Sequence, residues 1–283
     1  METIGVVGAG TMGSGIAQVA AQNGHPVILY DVTHEYAERG RDKIRAALAR
    51  LVEKRKMDQA QADTILARIT PTAGLNPLSA AAVVIEAAPE DLTLKRDLLA
   101  QLDTLCPPGT ILASNTSSLS IAALAGVTHR PDRVAGLHFF NPPALMALVE
   151  VVRADGTSDM TLSALVDLAR RWGKTPVVAR DTPGFVVNRV ARPFYLEALR
   201  LLDEGVADAA TIDRIARAAG FRMGPFELMD LIGLDVNFAV TQSVFHAFFD
   251  DPRYRPHPIQ QRMVDSGRLG RKTGRGFFDY TDK

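Results

Sequence analysis

Apolar residues in the first part of the chain fall in short runs of strand length, separated by longer stretches with helical spacing. Residues 4–7 (Ile-Gly-Val-Val) form the first run and residues 27–30 (Val-Ile-Leu-Tyr) the second, with a helix-like segment at 16–22 between them. Residues 34–56 carry Ile44, Leu48 and Leu51 at i, i+4 and i+7 in an otherwise polar stretch, the period of a long helix with one buried stripe. Helical character continues over 60–68. The same criteria predict strands at 69–72, 82–86, 110–114, 134–139, 148–152 and 175–178, and helices at 92–105 and 162–172. Pro107-Pro108-Gly109 marks the turn into the strand at 110–114. Strand and helix in alternation predict an α/β architecture, a doubly wound, mainly parallel sheet with helices on both faces.

The pattern changes after Asp181-Thr182-Pro183-Gly184. Helices are predicted at 186–203, 209–219, 225–231 and 235–249, with little strand signal. In the first of them Val187, Val190, Phe194, Leu199 and Leu202 supply an apolar face. Residues 252–283 are rich in Gly, Pro and Arg and read as an extended tail packed on the surface. The expected domains are residues 1–182, an α/β unit, and residues 183–283, an all-α C-terminal domain.

Composition narrows the function classes. Thirty-two basic residues balance thirty-two acidic ones, which argues against a nucleic-acid partner, since such proteins carry a basic excess. No apolar run approaches membrane-spanning length, so no membrane partner is expected. A strand at the very start leaves no room for a signal or transit peptide, and a cytoplasmic enzyme is the default expectation. The single cysteine, Cys106, excludes an internal disulfide framework and a cysteine-based metal site; it reads as an inert helix-end residue. His34, His129, His246 and His257 show no paired ligand spacing, so no metal is expected.

The glycines carry the first chemistry. Gly8-x-Gly10-x-x-Gly13 follows a strand and opens a helix, and the next strand ends in Asp31. In that setting the motif is a Rossmann-like dinucleotide fingerprint. Gly8 permits a tight turn, Gly10 lets the backbone approach a pyrophosphate, and Gly13 allows close helix–strand packing. The helix N-terminus offers amides and a positive dipole end to phosphate. Asp31 would accept hydrogen bonds from ribose hydroxyls and repel a 2′-phosphate, favouring NAD over NADP.

A second constellation lies at 134–152. His138 and Glu150 are equally far from residue 144. An antiparallel pairing about that turn sets them opposite each other on one face. The carboxylate would then orient the imidazole and stabilise its protonated form. Ser114-Asn115-Thr116-Ser117-Ser118 reaches the same sheet edge, either as donors to a substrate or nicotinamide, or as a loop in which Ser117 or Ser118 caps a helix. Asn188 is a polar residue on an apolar helix face, open to a substrate or a structural role. His25 reads as closing the preceding helix. No nucleophile-elbow pattern supports covalent catalysis.

These segments closely resemble the L-3-hydroxyacyl-CoA dehydrogenase family, which includes bacterial 3-hydroxybutyryl-CoA dehydrogenases. The resemblance rests on the stretches at 5–15, 85–95, 114–118 (Ser-Asn-Thr-Ser-Ser), 138–142 (His-Phe-Phe-Asn-Pro), 181–189, 223–225 with 230–235, and 270–277. It implies a reversible NAD-dependent oxidation with His138 as the base and Glu150 as its partner. It further implies that Ser117 and Asn188 bond the substrate, that Asn141 supports them, and that Glu90 and Lys95 lie near the cofactor with Gly8, Gly10, Thr11, Met12, Gly13, Asp31 and Asn115. It implies an acyl-CoA substrate held between the domains, basic residues at 50–56 near CoA, and a homodimer through the C-terminal domain. The loop Asn141-Pro142-Pro143-Ala144 departs from the common Asn-Pro-Val-Pro and is similar to the lambda-crystallin/L-gulonate 3-dehydrogenase group. Residues 221–233 are similar to dehydrogenases of 3-hydroxyadipyl-CoA. A dehydrogenase of free hydroxy or sugar acids, and a non-catalytic NAD-binding protein, are the alternatives.

Overall fold

The computed structural model describes residues 1–281; residues 282 and 283, the end of the expected tail, lie outside the described residues. The chain divides into two compact units, Met1–Thr182 and Pro183–Lys283. The first unit runs β1 (Ile4–Val7), α1 (Thr11–Gln22), β2 (Val27–Tyr30), α2 (His34–Glu53), α3 (Gln59–Ala67), β3 (Ile69–Thr72), β4 (Val83–Glu86), α4 (Leu92–Leu105), β5 (Ile111–Ser114), α5 (Ile121–Ala125), β6 (Val134–Phe139), β7 (Leu148–Arg153), α6 (Asp159–Arg171) and β8 (Thr175–Arg180). The strands form one sheet in the order β3-β2-β1-β4-β5-β6-β7-β8.

All neighbouring strands run parallel except β6 and β7. The connection over residues 140–147 is too short for a crossover helix, so β7 returns as the hairpin partner of β6. Strands β1, β4, β5 and β6 end along one edge, and chain order reverses between β2 and β4 on either side of β1. That is where open α/β sheets bind ligands. Ile4, Val6, Leu29, Ile85, Ala113, Leu137 and Val151 line a core on one face of the sheet, and Val7, Val84 and Leu112 are buried on the other, as strands covered on both faces require.

The second unit contains α7 (Val187–Asp203), α8 (Ala209–Ala218), α9 (Pro225–Ile232), α10 (Leu234–Ala247) and α11 (Pro258–Asp265). Its core gathers Tyr195, Leu196, Leu199, Phe226, Met229 and Leu234 with Ile259 and Met263 of α11. Two expectations are corrected here. The segment after Pro252 is not an extended tail. His257 and Gln260 form a capping box, Pro258 takes the first helical position, and Ile259 and Met263 bring one face of the resulting helix into the core.

The buried face of α7 is only partly the one expected: Leu199 lies in the core and Phe194 and Leu202 pack against it, but Val190 is 70% exposed, and Arg192, Tyr195 and Leu196 face inward. A charged residue on the buried stripe hides its period. The Arg192 guanidinium donates to the Asn237 carbonyl oxygen and Thr241 Oγ1, and burial pushes its pKa down to about 10. Among the described residues no single helix is long and apolar enough to cross a membrane.

Candidate active site

The chain leaves β1 through Gly8, whose φ of 96° suits glycine. A Cβ on Gly8 would stand 2.7 Å from the Ala87 carbonyl oxygen, and one on Gly13 only 1.7 Å from the Gly8 carbonyl oxygen. Around Gly10 nothing lies within 4 Å of the place a Cβ would take. Helices α2 to α6 each start on a side-chain cap, from Thr33, Asp58, Asp91, Ser120 and Ser158. Helix α1 starts on Gly10 with no side-chain cap. Its first turn, Thr11, Met12 and Gly13, therefore presents amides and a positive dipole end toward the space above Gly10. Asp31 borders that space; its Oδ2 accepts from the Ala9 amide at 2.8 Å and its Oδ1 from the Val32 amide at 2.7 Å. These donors orient the carboxylate and leave further lone pairs for a ligand's hydroxyls.

The neighbouring strand ends carry a group of charges that sequence reasoning missed in part. Glu86, the last residue of β4, is buried and opposite Ser114 of β5. Its carboxylate accepts from the Ala88 amide, Lys95 Nζ and Ser114 Oγ, each at 2.6 Å. Lys95 is equally buried; its Nζ also donates to the Ala88 carbonyl oxygen at 2.9 Å and lies 3.4 Å from Glu90 Oε2. Glu90 Oε1 in turn accepts from Thr116 Oγ1, the Ser117 amide and hydroxyl, and the Ser118 hydroxyl. Burial opposes ionisation of Glu90, but Lys95 and these donors outweigh it and hold the carboxyl below its usual range. A signal for Glu86 existed: a carboxylate closing an otherwise apolar buried run needs a partner.

His138 and Glu150 pair across β6 and β7 in register, and His138 Nδ1 lies 2.8 Å from Glu150 Oε2. Glu150 is fully buried and His138 nearly so. A hydrogen on Nδ1 donated to the carboxylate leaves the acceptor lone pair of the neutral ring on Nε2. Asn115 fixes the strand beside it: its Oδ1 accepts from the Phe139 amide at 2.8 Å. The loop after His138 is held from two sides. Lys174 Nζ donates to the carbonyl oxygens of Pro143 and Met146. Pro143 packs so closely on α1 that a Cβ on Gly15 would come within 2.7 Å of its ring. Asn141 lies exposed at the start of this loop, before a cis peptide bond to Pro142.

Asn188 stands in the first turn of α7, in the second unit. Residues 50–56 close α2 with Arg50, Lys54, Arg55 and Lys56 on the solvent side. One local expectation is corrected. Neither Ser117 nor Ser118 caps α5; Ser120 does, because Glu90 and Thr116 tie down residues 117–119 and delay the helix start. His25 closes α1 as expected, its amide donating to the Ala20 carbonyl oxygen, while its ring Nδ1 pairs with the Glu2 carbonyl oxygen. Cys106 is the buried C-cap of α4, and burial pushes its thiol pKa up.

A dinucleotide cradle at β1 and an imidazole backed by a carboxylate at β6, on one sheet edge, make the class that of a nicotinamide-dependent oxidoreductase. The comparisons with known proteins agree. Residues 3–182 match the model of the 3-hydroxyacyl-CoA dehydrogenase NAD binding domain, and residues 184–280 that of the 3-hydroxyacyl-CoA dehydrogenase C-terminal domain. The chain belongs to the 3-hydroxyacyl-CoA dehydrogenase family, and its first unit is the family's NAD-binding domain. It is 50% identical to the 3-hydroxyadipyl-CoA dehydrogenase of Escherichia coli over 99% of its own length, and spans 59% of that longer protein. It is 45% identical to a probable 3-hydroxybutyryl-CoA dehydrogenase of Bacillus subtilis, covering 100% of this chain and 99% of that one. The crystal structure of (S)-3-hydroxybutyryl-CoA dehydrogenase from Ralstonia eutropha matches with a TM-score of 0.93 at 43% identity, over 99% of each chain.

Proposed function

We propose that the protein oxidises an L-3-hydroxyacyl-CoA to the 3-ketoacyl-CoA, reversibly, with NAD. The observation that carries this reading is the buried His138–Glu150 pair on the C-terminal edge of a sheet whose family binds NAD. The uncapped α1, the open space over Gly10 and the oriented Asp31 carboxylate fit the dinucleotide. Bound there, NAD supplies the hydride acceptor.

His138 takes the proton of the 3-hydroxyl at Nε2 as the C3 hydride leaves. Glu150 keeps the ring in the required tautomer through Nδ1 and stabilises the imidazolium that results. Ser117 and Asn188 bond the substrate around its hydroxyl and thioester, and Asn141 supports the loop that follows the base. Glu90, Lys95 and Asn115 shape the cofactor's surroundings. The second unit holds the acyl-CoA and pairs with a second copy of the chain; Val190, Leu231, Val236 and Phe249 are apolar residues it leaves exposed. The stretch at 221–233 and the E. coli relative point to 3-hydroxyadipyl-CoA beside 3-hydroxybutyryl-CoA as the acyl substrate.

The test is NADH formation from L-3-hydroxybutyryl-CoA, L-3-hydroxyadipyl-CoA and L-gulonate, each with NAD and with NADP. Strong activity on either CoA ester with NAD is expected, and their ratio assigns the acyl preference. Activity on gulonate alone would mean the Asn141-Pro142-Pro143 loop has redirected the site. No turnover with any of the three would leave an NAD-binding protein without this activity.

Asp31→Ser is expected to lower kcat/KM with NAD and narrow the NAD/NADP ratio by at least ~10-fold, since it removes a charge-assisted acceptor and the repulsion of a 2′-phosphate. An unchanged ratio would sink this account of cofactor choice.

A further inference from the structure

Two carboxylates, Glu86 and Glu90, share one ammonium, Lys95, at the C-terminal edge of the sheet. Ionised, the cluster carries one negative charge in excess. Strand order places it: β4 and β5 lie between β1, which bears the phosphate cradle, and β6, which bears His138. A dinucleotide anchored at Gly10, with its reacting ring brought to His138, must cross the ends of β4 and β5. Those ends are Glu86 and Ser114. The oxidised nicotinamide ring is a cation and the reduced ring is neutral, so a fixed charge at this crossing acts on the two forms differently.

We propose that the Glu86–Lys95–Glu90 cluster selects the oxidation state of the bound cofactor, its excess negative charge favouring NAD+ over NADH. The inference rests on the dehydrogenase reading given above. The cluster is built to keep that charge in place. Glu86 cannot swing away, because three donors hold it. Glu90 is tied by Thr116, Ser117 and Ser118, and its lowered pKa keeps it ionised at neutral pH. Little solvent reaches Glu86 or Lys95 to screen the field. The hydrogen bonds from Ser117 to Glu90 also make the carboxylate a positioning residue for that hydroxyl.

The experiment is calorimetric titration of the full-length protein with NAD+ and, separately, with NADH. Glu90→Gln keeps a carbonyl oxygen for Thr116 and Ser117 but removes the charge. It is expected to weaken NAD+ roughly 10-fold relative to NADH, the order expected for one partly screened unit charge. Glu86→Gln, buried and unable to touch a ligand, is expected to shift the ratio the same way. Glu86→Gln with Lys95→Gln removes one charge of each sign and should return the ratio to near that of the unaltered protein. An unchanged ratio in Glu90→Gln, or equal weakening of both cofactors, overturns the proposal and leaves Glu90 acting by contact alone. Should Glu86→Gln fail to fold, the Glu90→Gln ratio decides. An unaltered protein that binds neither cofactor would overturn the dehydrogenase reading itself, an outcome distinct from a ratio that does not move.

Discussion

His138→Gln is expected to lower turnover by ~10²–10⁴-fold, the usual worth of a positioned acid–base group, with NAD affinity little changed. Glutamine can still donate to Glu150 from its amide, so the buried carboxylate keeps a partner and the fold survives. What it cannot do is accept a proton near neutral pH. The loss should therefore fall on kcat at saturating NAD and substrate, and not on a binding constant measured by titration. Glu150→Gln tests the other half of the pair. An amide opposite Nδ1 can donate to it, which moves the ring hydrogen to Nε2 and removes the acceptor from the side that faces substrate. Its turnover should also fall, with the thermal midpoint near that of the unaltered protein. Near-normal turnover in His138→Gln would remove His138 from the role of base and leave the pair a structural feature of the hairpin.

Much of this site was legible in the sequence, because its determinants are local. The glycine spacing between an apolar run and a helix needs no tertiary information, and the register of His138 and Glu150 follows from the symmetry of a hairpin about residue 144. What the sequence hid depends on partners far along the chain. Lys95 reaches Glu86 from nearby in the chain, across the loop between β4 and α4, but Ser114 joins them only through the strand order. Lys174 reaches back to the 143–146 carbonyls across the β7–β8 pairing. The buried face of α7 was legible only at Phe194, Leu199 and Leu202, because Arg192 occupies a core position and its acceptors lie on α10. The segment after Pro252 was misread because its Gly, Pro and Arg content masks two apolar residues one turn apart. Asp230 also draws the backbone of Phe277 and Phe278 onto α9, by contacts with no local signature.

The glycine loop gives a prediction in which two neighbouring substitutions part company. Gly13→Ala is expected to cost both stability and cofactor. Its methyl would stand 1.7 Å from the Gly8 carbonyl oxygen and 2.9 Å from the carbonyl carbon. The obstacle is backbone, at a turn whose own φ of 96° admits few alternatives. The loop must therefore shift bodily, at an overpacking cost of ~1–3 kcal/mol or more, and the first-turn amides of α1 shift with it. Gly10→Ala meets no such obstacle, since nothing lies within 4 Å of its Cβ position. Its backbone is in an ordinary region, φ −66° and ψ −165°. That variant should keep its thermal midpoint and still lose NAD affinity by on the order of 10²-fold, because the methyl occupies the space through which the pyrophosphate approaches the helix N-terminus. Thermal denaturation and NAD titration of both proteins separate the cases. A Gly10→Ala protein that binds NAD normally would mean the phosphates lie elsewhere, while a Gly13→Ala protein of normal stability would mean the contact with Gly8 is readily relieved.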